Sequence, residues 1–192
     1  MSSSTLVCDR PVCDRPRAAL LVRLSDYLEL TKPKIALLEL VTVAVAGCLA
    51  GWPSPHAWSL AHALLGTALV AASASALNQW IERDRDACMP RTSDRPLPAG
   101  RLSGREVIVF GTLTGVLGVG YLALAVNLAT AVLGAMSWLL YVAIYTPMKA
   151  RSPANTIVGA VAGALPILMG WTAVGGSLNL AAATLFLIVY LW

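Results

Sequence analysis

The chain has 192 residues, of which 57% are hydrophobic and only 12% charged, with a mean hydropathy of +0.70. Soluble domains carry about 25% charged residues, so a water-soluble globular fold is excluded and a chain solvated mainly by lipid is expected. The net charge of +4 lies in short stretches between apolar spans, which excludes the continuous basic face of a nucleic-acid binder.

Residues 1–25 read as a disordered tail in which VCDRP occurs twice, as Val7–Pro11 and Val12–Pro16. The only apolar run there, Ala18–Val22, is too short for a signal peptide. Cys8, Cys13, Cys48 and Cys88 form no CxxC pair and have no histidine cluster beside them, so neither a disulfide framework nor a thiolate metal site is expected. An all-α, polytopic transmembrane bundle follows, because about 20 apolar residues in a helix cross a bilayer. The expected spans are Ile35–Trp52, Ala57–Trp80, Val107–Val126, Leu128–Thr146 and Asn155–Val174. A sixth begins near Leu180 and stops at Trp192, too short to cross, which suggests an N-terminal fragment of a longer protein.

All 14 basic residues fall before the first span, between the second and third, or between the fourth and fifth; the other three connections have none. Such alternation predicts a cytoplasmic N-terminus, with Arg83–Arg105 on the same side. Glycines 111, 115, 118 and 120 of the third span and 159, 163 and 170 of the fifth suit close helix packing in lipid, where burial alone gives no drive for association.

The second span ends in Asn78-Gln-Trp-Ile-Glu82-Arg-Asp84-Arg-Asp86. Residues 78, 82 and 86 are spaced i, i+4, i+8 and share an arc of about 80° on a helix. An amide oxygen and two carboxylates in a row form a hard-oxygen set suited to Mg²⁺ completed by phosphate. Mixed charge on a soluble helix end would mark only a solvated face. Asn78, however, lies at membrane depth, where polar groups are costly and usually functional. Asp84 projects off that face. Arg91 and Arg95 follow closely, and Lys32, Lys149 and Arg151 are expected at the same membrane face. Guanidinium and ammonium groups there suit a diphosphate, and equally suit anionic lipid or snorkelling anchors. Glu39, one turn inside the first span, is either functional, paired with Lys32 or Lys34, or partly protonated. His56 and His62 lie near the opposite face, where an interface anchor and a haem contact both fit.

These residues resemble the UbiA-type intramembrane prenyltransferases, whose first Asp-rich motif reads N-D-x-x-D-x-x-x-D. Asn78, Glu82 and Asp86 match its first, third and fourth marked positions, while Gln79 replaces the second. Leu30-Thr-Lys-Pro-Lys-Ile35, the run from Asn78 through Met89, Arg91, Thr92 and Arg95 to Pro96, Tyr145–Thr156, and Gly163-Ala-Leu-Pro166 with Gly170-Trp171 resemble the protohaem IX farnesyltransferases within that superfamily. The resemblance implies a nine-helix fold, with residues 26–192 as an incomplete transmembrane domain lacking a second Asp-containing motif. It implies transfer of the farnesyl group of farnesyl diphosphate to a vinyl group of haem B in a bacterial inner membrane. Mg²⁺ would be the cofactor, held by Asn78, Glu82 and Asp86, with Arg91, Arg95, Lys32, Lys149 and Arg151 on the diphosphate. Haem A synthase would be a further partner. The alternatives are another UbiA-type aromatic prenyltransferase, a transporter-like fragment or a non-catalytic one. Clustering of the polar residues at one face favours an enzyme over a transporter, whose ligands sit at the midplane.

Overall fold

The computed structural model describes residues 16–149 and 151–192, and all regular structure among them is helical. Helix α1 covers Pro16–Leu30, α2 Pro33–Ala50, α3 Ala57–Ala87 and α4 Gly104–Ala125. Helix α5 covers Leu128–Met148, α6 Asn155–Ala173 and α7 Leu180–Leu191. Helices α2 to α6 are each long and apolar enough to cross a membrane, so the chain is a multi-pass membrane protein. All five coincide with the expected spans to within a few residues, except at the end of α3. The boundary drawn at residue 25 falls inside α1. Cys8, Cys13 and all but the last residue of the VCDRP repeat lie outside the described residues.

Local chemistry sets the helix starts. Pro33 opens α2, where its missing N–H is no loss. Ser103 and Glu106 form a reciprocal capping box on α4. Asn127 and Asn179 accept the backbone N–H of Thr130 and Ala182 and cap α5 and α7. In α5 the stretch Leu140–Tyr145 is π-helical, and Thr146 donates its hydroxyl to the Tyr141 carbonyl at 2.7 Å.

Packing follows the glycines. A Cβ built at Gly111, Gly115 or Gly118 of α4 would lie 2.7, 2.7 or 2.9 Å from Leu77, Ser73 or Val70 of α3. These glycines let the two backbones approach, and Ser73 donates to the Gly111 carbonyl at 2.6 Å. Gly170 of α6 meets α2 still more closely, since its Cβ would fall 2.1 Å from the Val43 carbonyl oxygen. Gly120 and Gly163 face open space instead. Leucines and valines on the outer faces of α2 and α4, such as Leu37, Val41, Leu113 and Leu117, are at least half exposed, as lipid-facing side chains are.

Helix α3 has 31 residues, about 46 Å of helix against a hydrocarbon core of about 30 Å. Its last turns therefore project beyond the apolar layer and carry Glu82 and Asp86 with them, while Asn78 lies at the edge of that layer. The connection from Cys88 to Ser103 folds back as successive tight turns. Gly100 at φ 70° supplies the left-handed residue that this path needs. Leu97 and Leu102 are buried with Leu30, Ala76 and Val107, which anchors the loop between α1, α3 and α4. Arg101 adds ionic bonds to Asp26 and Glu29 of α1 at 2.7 and 2.8 Å, and Arg23 pairs with Glu106.

Candidate active site

Asn78, Gln79, Glu82 and Asp86 are all buried, at 6% exposure or less, although Glu82 and Asp86 are within two turns of the end of α3. The side chain of Asp84 is 86% exposed, and its ion pair among the described residues is with Arg83, at 3.5 Å. Residues 78, 82 and 86 thus share one buried face, and Asp84 lies off it.

Three cations from three other segments face this row. Lys32, in the turn between α1 and α2, donates to Asn78 Oδ1 at 2.5 Å. Arg95, from the folded loop, donates to Asp86 Oδ2 at 2.6 Å. Lys149, at the end of α5, lies 3.1 Å from Glu82 Oε1. That last contact is an ion pair without hydrogen-bond alignment, and Glu82 Oε1 is left buried with no hydrogen-bond partner. Arg91 and Arg151 are exposed and form no ion pair among the described residues. Of the five cations expected together, the fold assembles Lys32, Arg95 and Lys149.

Lys32 is held there at a cost. Its backbone is left-handed, φ 50° and ψ 62°, which disfavours a non-glycine residue by about 1–2 kcal/mol. Burial lowers its ammonium pKa to about 8, helped by Arg95 and Lys149 and opposed by Glu82 and Asp86. A strained, partly desolvated cation surrounded by like charges is poised to accept an anion.

Supporting contacts come from residues to which sequence reasoning gave no role. Gln79 donates to the Leu30 carbonyl at 2.9 Å, fixing the turn that presents Lys32. Thr92 donates to the Asp86 carbonyl at 2.9 Å and folds the loop back so that Arg95 reaches its partner. Thr146 accepts from Asn78 Nδ2 at 3.1 Å. All three lie in the motif stretches, so the signal was present as pattern without an assigned contact.

Below the cluster lies a cavity of about 540 Å³, within the range of ligand pockets. It begins one turn deeper. Ile35 follows Lys32 by three residues, Ser75 precedes Asn78 by three, and Tyr145 directly precedes Thr146; all three line it. Most of its wall is apolar, from α2, α3, α5, α6 and α7, and Glu39 is its one ionisable carboxylate. Glu39 pairs with neither Lys32 nor Lys34 among the described residues. On the far side of the bundle, His62 shares a hydrogen bond with the Tyr121 hydroxyl at 2.5 Å and meets Trp58 edge-on. His56 is exposed just before α3.

The donor set fits a hard divalent cation in one specific way. Among the described residues no three His, Cys, Asp or Glu side chains converge as a self-sufficient metal cage. The row offers two carboxylates and an amide, the complement Mg²⁺ takes when phosphate oxygens fill the rest of its shell. The orphaned Glu82 Oε1 is a lone pair available to such a cation.

A helical membrane bundle with a buried acidic row under three converging cations is suited to holding a polyvalent anion together with a divalent cation. Residues 40–192 match the UbiA prenyltransferase family, and the chain belongs to that family. It is 45% identical over 181 residues to the protoheme IX farnesyltransferase of Symbiobacterium thermophilum, covering 93% of this chain and 59% of that protein. To the protein of the same name from Alkalilimnicola ehrlichii it is 44% identical over 179 residues, covering 92% and 59%. The chain thus spans about three fifths of the length of these relatives. Among solved structures, a digeranylgeranylglyceryl phosphate synthase superposes with a TM-score of 0.78 at 19% identity, covering 88% of this chain and 58% of that one. A UbiA homologue from Archaeoglobus fulgidus, bound to DMAPP and Mg²⁺, superposes with a TM-score of 0.75 at 24% identity, covering 86% and 60%. At these identities the structural likeness establishes the fold.

Proposed function

We propose that the protein transfers the farnesyl group of farnesyl diphosphate to a vinyl group of haem B, giving haem O and diphosphate. The observation that carries this reading is the convergence of Lys32, Arg95 and Lys149 on the Asn78–Glu82–Asp86 row, directly above an apolar cavity. The names of the relatives support the choice of prenyl donor and acceptor.

Asn78, Glu82 and Asp86 would hold Mg²⁺, which when bound supplies neutralisation of the negative charge growing on the leaving diphosphate. Lys32, Arg95 and Lys149 would bind phosphate oxygens; their present partners, the Asn78 amide oxygen and the Asp86 and Glu82 carboxylates, are the groups that a cation would engage. Arg91 and Arg151, being exposed, would serve the rim of the site. The cavity would receive the prenyl chain and keep bulk water from the allylic cation. In this reading the protein sits in a bacterial inner membrane with its N-terminus and the Arg-rich loop in the cytoplasm, and haem A synthase is a further partner.

The test is incubation of the full-length protein, in membranes, with haem B, farnesyl diphosphate and Mg²⁺, with products read by mass spectrometry. Haem carrying a hydroxyethylfarnesyl group is expected, as is its loss in Glu82→Ala. Prenylation of a different acceptor with none of haem would overturn the acceptor assignment.

A further inference from the structure

Joining an allylic cation to an alkene does not finish the reaction, and the unfinished step has a place in this fold. When the C1–O bond of the prenyl diphosphate breaks, its electron pair leaves with the diphosphate. The π pair of a vinyl group then forms the new bond to C1, and the inner vinyl carbon becomes the cation. That carbon must either lose a neighbouring proton or gain a water oxygen. A hydroxylated product requires one water, held at the right depth, in a cavity that otherwise excludes water.

Glu39, Ser75 and Tyr141 all line the cavity, from α2, α3 and α5, and none of their side chains makes a hydrogen bond among the described residues. By contrast, the hydroxyls of Thr42 and Ser137 on the same walls are spent on the backbone carbonyls of Leu38 and Ala162. A buried water needs two to four polar partners, and these three side chains, from three helices, are polar groups of the cavity wall free to serve as such partners. Glu39 lies seven residues beyond Lys32, about 10 Å along the helix. Its side chain leans back toward the start of α2, as helical side chains do. That places the carboxylate between the diphosphate cluster and the cavity floor.

The geometry points to Glu39, with Ser75 and Tyr141, as the site that holds the water captured by the acceptor's carbocation, and to Glu39 as the group that takes its proton. The water oxygen donates a lone pair to the inner vinyl carbon, and the proton of the resulting oxonium passes to the Glu39 carboxylate. Prenyl diphosphate, acceptor and water thus become alkylated alcohol, diphosphate and one proton. This assignment rests on the vinyl acceptor proposed above.

Full-length protein in membranes, supplied with farnesyl diphosphate, Mg²⁺ and haem B, separates the two questions through its products. The quantity read is the ratio of hydroxylated adduct to unhydrated adduct, per diphosphate released. The amount of folded protein does not alter that ratio. Glu39→Leu should lower it by about 100-fold, the usual worth of a positioned proton acceptor. Glu39→Gln keeps an oxygen that can hold the water but cannot take its proton, so it should recover only a small part of the loss, and the milder Tyr141→Phe and Ser75→Ala should each shift the ratio in the direction of Glu39→Leu. A wild-type ratio in Glu39→Leu overturns the assignment while leaving the function standing; where that variant fails to accumulate, wild-type ratios in both milder variants do the same. No haem adduct from the wild type overturns the function, and this assignment with it.

Discussion

Asp86 and Asp84 are two residues apart on one helix and carry the same charge, yet they should respond very differently to removal of that charge. In Asp86→Asn, Arg95 loses a 2.6 Å charge-assisted bond to a side chain that is only 7% exposed. Bonds of that kind contribute about 1.5–3 kcal/mol, so the ligand-free protein should be destabilised by roughly that amount. The cluster would also be left with three cations against the single carboxylate of Glu82. Turnover should fall by at least about 100-fold, equivalent to about 2.7 kcal/mol of transition-state stabilisation. In Asp84→Asn, only a 3.5 Å surface contact to Arg83 is lost, worth under about 0.5 kcal/mol, and turnover should stay within about twofold of wild type. The assays are thermal unfolding in detergent and prenyl transfer across a Mg²⁺ titration. Asp86→Asn should need more Mg²⁺ for half-maximal rate. Equal damage from the two substitutions would refute the helical-face argument, and an unchanged Mg²⁺ requirement in Asp86→Asn would refute the ligand role.

Three further outcomes follow from other parts of the molecule. A cysteine at Ser177 should react with an impermeant reagent added outside intact cells and one at Ser103 should not; the opposite pattern would invert the orientation drawn from the basic residues. Gly170→Ala puts a methyl group 2.1 Å from the Val43 carbonyl oxygen, so α2 and α6 must separate, at a cost of about 1–3 kcal/mol in thermal unfolding, whereas Gly163→Ala, in open space, should be neutral. Because burial holds the Lys32 ammonium at about 8, the cation is mostly present at pH 7 and mostly lost at pH 9; prenyl diphosphate affinity by calorimetry should weaken across that interval, and Lys32→Gln should be weaker at pH 7 and flatter with pH.

The five spans were legible because hydropathy and charge alternation act over 20 residues and do not depend on which helix packs where. The acidic row was legible because i, i+4, i+8 spacing fixes a face within one element. What could not be read was convergence between elements. Lys32 and Lys149 are 46 and 67 residues from their partners Asn78 and Glu82, and only the helix packing brings them there. Arg91 and Arg95 look equivalent in sequence, one helical turn apart, yet the turns set by Thr92 direct Arg95 inward and leave Arg91 in solvent. The boundary at residue 25 divided what folds as one helix, because the charges of Asp26 and Glu29 find their reason only in Arg101, more than 70 residues later.

The π-helical stretch Leu140–Tyr145 divides α5 into two rotational phases. Before it, Ser137 and Trp138 bind α6 and α3 through the Ala162 carbonyl and the Ser73 hydroxyl. After it, Thr146 and Lys149 meet Asn78 and Glu82. A π turn holds about one residue more than the α turn it replaces, so it works as a phase shifter of about 100° inside an unbroken rod. Excising a single residue there would leave the span only about 1.5 Å shorter, with hydropathy and caps intact. It would nonetheless swing Thr146 and Lys149 off the acidic row together. In this helix a one-residue deletion is a rotation.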